Sequence, residues 1–217
     1  WGGGALCVML LAALVWVAWA QGGTRLDTPM GQALAGSAVA AMATALGALP
    51  ALFVRHISAR WEAIMLGFGA GVMVAAACFS LILPGIDAGA AILGSKLAGV
   101  LIVATGLLLG AISLLFADKL VPHEHPAAGR HGPDWVHLRR VWLMVLAIAL
   151  HNFPEGMAIG VGFAGGDASV GIPLAVAIAI QDVPEGLVVA VALRTVAYAP
   201  WKATLIGALT GLAEPLG

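Results

Sequence analysis

The chain of 217 residues is 61% hydrophobic and only 10% charged, with a mean hydropathy of +1.02. A soluble domain carries about 25% charged residues, so this composition cannot build a polar surface and lipid must be its solvent. A net charge of −1, without any dense basic stretch, argues against a nucleic-acid partner. Cys7 and Cys78 lie in apolar runs and read as packing residues, not as a disulfide or thiolate site.

A membrane-spanning helix needs about 20 apolar residues. On that scale the sequence predicts an all-α, polytopic membrane helix bundle. Its spans fall at 4–20, 31–54, 62–85, 96–117, 141–164, 172–193 and 201–217. The first, within residues 1–25, reads as an extra N-terminal transmembrane helix or as a cleaved signal. It ends in the small-x-small run Ala18-Trp19-Ala20 but shows no basic n-region. Residues 26–217 form the core. The chain begins at Trp1 and stops at Gly217 inside a hydrophobic run, which leads us to expect a portion of a longer protein.

Lysine and arginine collect in short cytoplasmic loops. Arg55 and Arg60 share one connection, Lys119, Arg130, Arg139 and Arg140 another, and Arg194 and Lys202 flank a third. The 55–61, 118–140 and 194–200 loops are therefore expected inside, and the 21–30, 86–95 and 165–171 loops outside. Gly67-x-x-x-Gly71, Gly106-x-x-x-Gly110 and Gly156-x-x-x-Gly160 offer close-approach faces, for internal packing or for the seam of a homodimer.

Four acids lie within spans: Glu155, Asp182, Glu185 and Glu214. No lysine or arginine lies comparably deep. Ionisable groups in hydrocarbon are costly and rarely unpaired, so this cluster asks for cations. The frame around it repeats: His151-Asn152-Phe153-Pro154-Glu155-Gly156 and Gln181-Asp182-Val183-Pro184-Glu185-Gly186. At i and i+4, His151 shares a helix face with Glu155, and Gln181 with Glu185. Asn152 and Asp182 occupy the adjacent edge. Each proline removes one helix N–H beside the polar face, and Gly156 and Gly186 permit close backbone approach. One imidazole with carboxylates and amides suits zinc, iron, manganese or cobalt. The imidazole argues mildly against calcium and magnesium, which prefer oxygen alone. Carboxylates on two helices can bridge two ions. Helix-to-helix hydrogen bonding and a metal-free proton relay are the plainer alternatives.

The paired motifs at this spacing resemble the signature of the ZIP (Zrt/Irt-like) metal transporters, over roughly residues 31–217. The resemblance implies an eight-helix core, of which this chain would hold helices one to five and part of six. The segment before residue 26 matches no part of that core. It implies a binuclear site with Zn2+ as substrate, and Cd2+ tolerated, in a bacterial inner membrane. By resemblance the ligands are Met73, His151, Asn152, Glu155, Gln181, Asp182, Glu185 and Glu214, with Glu155 and Glu185 bridging the ions. From chemistry alone Met73 would be a packing residue. The resemblance also implies alternating access by an elevator-like slide of one bundle against the rest.

Ser80 and Asp87 are candidates for the entrance; Asp87 also reads as an ordinary loop acid. His123, His125, His131 and His137 in the 118–140 loop bind metal or belong to a plain polar linker. A metal-dependent intramembrane enzyme is the first rival, but the His-Glu-x-x-His string is absent. A metal-selective channel, or a membrane metal sensor, is the second.

Overall fold

The computed structural model describes residues 27–120 and 133–217. The 1–25 segment lies outside the described residues, as do His123, His125 and His131. Among the described residues the chain forms six helices. They are α1 (Pro29–Ala48, continued by a 3-10 turn Leu49–Leu52), α2 (Ala59–Leu93) and α3 (Lys96–Leu120). Then come α4 (Pro133–Ala164), α5 (Ala168–Thr195) and α6 (Pro200–Thr210, continued by a 3-10 turn Gly211–Leu216). Helices α1 to α5 are each long and apolar enough to cross a bilayer. The protein is a multi-pass membrane protein.

The helix starts follow local chemistry. Thr28 caps α1 by accepting the Gly31 N–H at 3.1 Å, with Pro29 in the first turn, where its missing N–H costs nothing. Asp167 caps α5 through the Ser169 N–H at 2.8 Å. That hydrogen bond holds the exposed Asp167 carboxyl below the usual carboxylate range.

Helix extends into two of the expected loops. The connection expected at 86–95 shrinks to Gly94 and Ser95, and Asp87 sits inside α2 as an exposed helical residue, not in a loop. Pro84-Gly85 does not end the helix because the ladder already widens into a π turn at Ala77–Ile82. The missing proline N–H falls at its far edge. The helix closes instead at Gly94, whose φ of +69° suits a residue without Cβ. Likewise α4 starts at Pro133, so His137, Arg139 and Arg140 are helical. Hydropathy measures what lipid covers, and a helix can project past it.

The ends of the bundle sort as the charges predict. His137 Nε2 lies 3.1 Å from Thr195 Oγ1, and Trp142 Nε1 donates to the Tyr198 hydroxyl at 3.0 Å. Ile57 packs beside Ala190 and Val191. These contacts bring the starts of α2, α4 and α6 and the end of α5 together at one end, where Arg55, Arg60, Arg139, Arg140, Arg194 and Lys202 lie.

Helix α5 is the centre: it touches α1, α2, α4 and α6. Lipid gives helices little hydrophobic reason to associate, so backbones must approach closely. A Cβ on Gly47 would strike the Val183 backbone, and one on Gly186 the Thr44 backbone. Gly89 and Gly99 do the same for α2 against α3. Among the described residues, Gly156 alone of the expected glycine faces meets a neighbour, and Gly67, Gly71, Gly106, Gly110 and Gly160 have nothing within 4 Å. Spacing in sequence identified the motif but not which face the bundle would use.

Candidate metal centre

Two apolar clusters bracket a polar band along α4 and α5. On one side lie Ala40, Ile159, Phe163, Leu174 and Ile178; on the other Val141, Val145, Val189, Leu193 and Ala203. Between them fall both repeated frames. Helices α4 and α5 run on through Pro154 and Pro184.

The frames face one another. Ligand-capable atoms of His151, Glu155 and Glu185 all lie within 4.8 Å of each other. His151 Nε2 is 3.7 Å from Glu155 Oε1, one turn along α4 as the i, i+4 spacing requires. The imidazole is partly exposed, whereas Glu155 is buried. Gln181 Nε2 donates to Glu155 Oε1 across the helix pair. Asn152, Gln181, Asp182 and Glu214 are each fully buried.

Glu214 arrives from α6. A Cβ on Gly156 would strike the Glu214 backbone, so that glycine admits α6 to the site. Gly186 admits α1 in the same way, against Thr44. Each Pro-Glu-Gly frame therefore ends in the residue that lets a second helix deliver a polar group. Where α6 tightens into its 3-10 turn, the hydrogen-bond step shortens to i−3. The Thr210 carbonyl, at the start of that turn, also accepts from Asn152 Nδ2 at 3.2 Å. Asn152 Nδ2 also reaches Glu214 Oε1 at 3.4 Å.

Seven buried oxygens in this band accept no hydrogen bond from the described residues. They are Asn152 Oδ1, Glu155 Oε2, Gln181 Oε1, both Asp182 oxygens, Glu185 Oε2 and Glu214 Oε2. Buried acceptors are normally satisfied. Residues 141–193 contain no lysine or arginine to answer them. Two carboxylates about 4 Å apart repel by about 4 kcal/mol at an effective dielectric of 20, so a cluster of acids needs protons or metal cations. Among the described residues, the donor set of imidazole nitrogen and carboxylate oxygen fits a divalent transition ion.

Met73, half-buried on α2, stands one turn beyond Gly69, whose missing Cβ faces Gln181 Cβ. It precedes buried Ala76 on the same face, so it lies on the α5 side. Ser80 belongs to the π turn, half-buried; Asp87 lies about two turns beyond Ser80 along α2. His137 is at the far end of α4 with Thr195, not in the band. Thr44 escaped the sequence reading. A lone hydroxyl in an Ala-rich helix carries no signal until α1 is known to pack on α6.

A model of the ZIP zinc transporter family matches residues 123–217. The chain is 38% identical over 188 residues to the zinc transporter GufA of Myxococcus xanthus, covering 87% of this chain and 74% of that protein. The chain belongs to the ZIP zinc transporter family. It is also 55% identical over 188 residues to the zinc transporter ZIPB of Bordetella bronchiseptica. That match covers 87% of this chain and spans 61% of the Bordetella protein's length. The zinc transporter ZupT of Stenotrophomonas maltophilia is 38% identical over 192 residues, with 85% and 70% covered. The ZIP assignment takes in both Pro-Glu-Gly frames and Glu214, which fall inside the matched 123–217 region.

Proposed function

We propose that this protein carries divalent metal ions, zinc foremost, through a two-ion site inside a bacterial inner membrane. The observation that carries the reading is the set of seven unpartnered buried oxygens beside the His151 imidazole. Zinc takes about four ligands. This set exceeds one such ion and suits two, with Glu155 and Glu185 between them. His151 and Met73 serve the first ion. Gln181, which shares Glu155 Oε1 with His151, stands beside the first, and Asn152, Asp182 and Glu214 serve the second. The zinc transporters of Bordetella and Myxococcus among its relatives support zinc as cargo. Cadmium, with similar softness, is the next expected ion.

Transport requires the site to open to one side at a time. Helices α1, α4, α5 and α6 are fastened by backbone contacts at Gly47, Gly156, Gly186 and Gly211. Helices α2 and α3 are fastened to each other at Gly89 and Gly99. Gly69 meets Gln181 only at an ordinary 3.7 Å. The absence of a glycine-mediated backbone contact between α2 and α5 among the described residues supports an elevator-like slide of the four-helix body along α2. The acids then act as ligands, not as catalytic bases, and the protein is a transporter, not an enzyme.

The test is metal uptake by the intact protein in liposomes, with zinc, cadmium, iron and manganese compared. Uptake that saturates at low zinc supports a carrier. Uptake rising linearly with the gradient would mark a channel instead. Glu155→Ala and Glu185→Ala should each abolish uptake.

A further inference from the structure

The two oxygens of Glu214 have different surroundings. Oε1 accepts from Thr44 Oγ1 at 3.1 Å and from Asn152 Nδ2 at 3.4 Å. Oε2 accepts nothing from the described residues and is buried. One oxygen is thus held by donors from α1 and α4, and the other is left for an ion.

Thr44 is placed to do this holding. It is fully buried, and its neighbours are fixed by glycines on two other helices. Its backbone carbonyl fills the space a Gly186 Cβ would need. A Cβ on Gly211 would stand 2.8 Å from Thr44 Cβ and 3.0 Å from Thr44 Oγ1. The hydroxyl has one proton and two acceptors in range, Glu214 Oε1 at 3.1 Å and the Ala40 carbonyl at 3.3 Å. A charged carboxylate is the stronger acceptor. Without the hydroxyl, Asn152 alone would hold Oε1, at the longer distance, and the carboxylate could rotate.

We infer that Thr44 is a positioning residue for the ion site: its hydroxyl pins Glu214 Oε1 so that Oε2 faces the metal. The inference rests on the reading of Glu214 as a ligand. It also gives α1, which contributes no ligand of its own, a direct bearing on metal affinity.

Size and hydrogen bonding can be separated at this position. Thr44→Val keeps the volume packed against Gly211 and loses the hydroxyl. Thr44→Ser keeps the hydroxyl and loses the methyl. Zinc titration of the intact protein, with the half-saturation of zinc uptake read beside it, should show Thr44→Val weakened about tenfold. Thr44→Ser should stay within about twofold of wild type. Thr44→Ala serves as a second hydroxyl-free variant and should shift as valine does, and melting curves verify that each variant is folded.

The reverse order, with valine near wild type and serine impaired, would show a packing role and overturn the inference. So would zinc affinities equal across all three variants. Glu214→Ala separates the two levels. If it weakens zinc while Thr44→Val does not, Thr44 alone is excluded. If Glu214→Ala leaves zinc binding unchanged, the ligand reading of Glu214 fails and Thr44 with it.

Discussion

His151 Nε2 stands 3.7 Å from Glu155 Oε1, one helical turn away on α4. That is too long for a good hydrogen bond. It is close to the roughly 3.4 Å that separates two ligand atoms on one tetrahedral zinc with bonds near 2.1 Å. The pair is spaced to share an ion more than to bond to each other.

His151→Ala should therefore weaken zinc binding by about tenfold or more and change ion preference, since only oxygens and the Met73 thioether would remain. Calorimetry with zinc and manganese measures both effects. Zinc should lose more than manganese. Equal losses for the two ions would remove His151 from the ligand set.

The glycines divide into two groups with opposite expectations. Gly156→Ala and Gly186→Ala place a Cβ against the backbone of Glu214 and Thr44. A rigid backbone cannot move aside as a side chain can, so each should destabilise by about 3 kcal/mol or more. Gly106→Ala and Gly110→Ala meet nothing within 4 Å. They should fold as well as wild type, and their melting temperatures in detergent are the check. Equal sensitivity at all four positions would contradict the helix crossings described above.

Protons and metal compete for the same lone pairs. Binding to His151, Glu155 and Glu185 requires each to be free of its proton, so affinity should rise with pH. Calorimetry between about pH 5.5 and 7.5, which brackets the ordinary imidazole value, should show this. It should also show a heat that depends on the buffer, as released protons are taken up. Constant affinity and buffer-independent heat would mean that the metal binds elsewhere.

Much of the site was legible because its chemistry is local. The repeated frame put His151 and Glu155 on one face by helical spacing alone, and the structure brings Glu185 to them. Gly156 and Gly186 were expected to admit a neighbour, and they do. Thr44 and the Thr210 carbonyl were not legible, because each acquires its part only when a distant helix arrives. The reach of α2 to Leu93 was misread because Pro84-Gly85 ordinarily ends a helix, and nothing in the residues announced the π turn before it. The expected glycine faces on α2 and α3 do not serve packing among the described helices. Sequence spacing defines a face, but only the bundle determines what meets it.

X-ray absorption on the intact protein loaded with zinc tests the central claim most directly, because it reads the ligands themselves. The expected shell is nitrogen and oxygen at about 2.0–2.2 Å with an imidazole signature, and a longer sulfur contribution from Met73. That shell should be lost or rearranged in Glu155→Ala and Glu185→Ala, and the imidazole signature in His151→Ala. Zinc bound with the same shell in all three variants would contradict a metal site between α4 and α5.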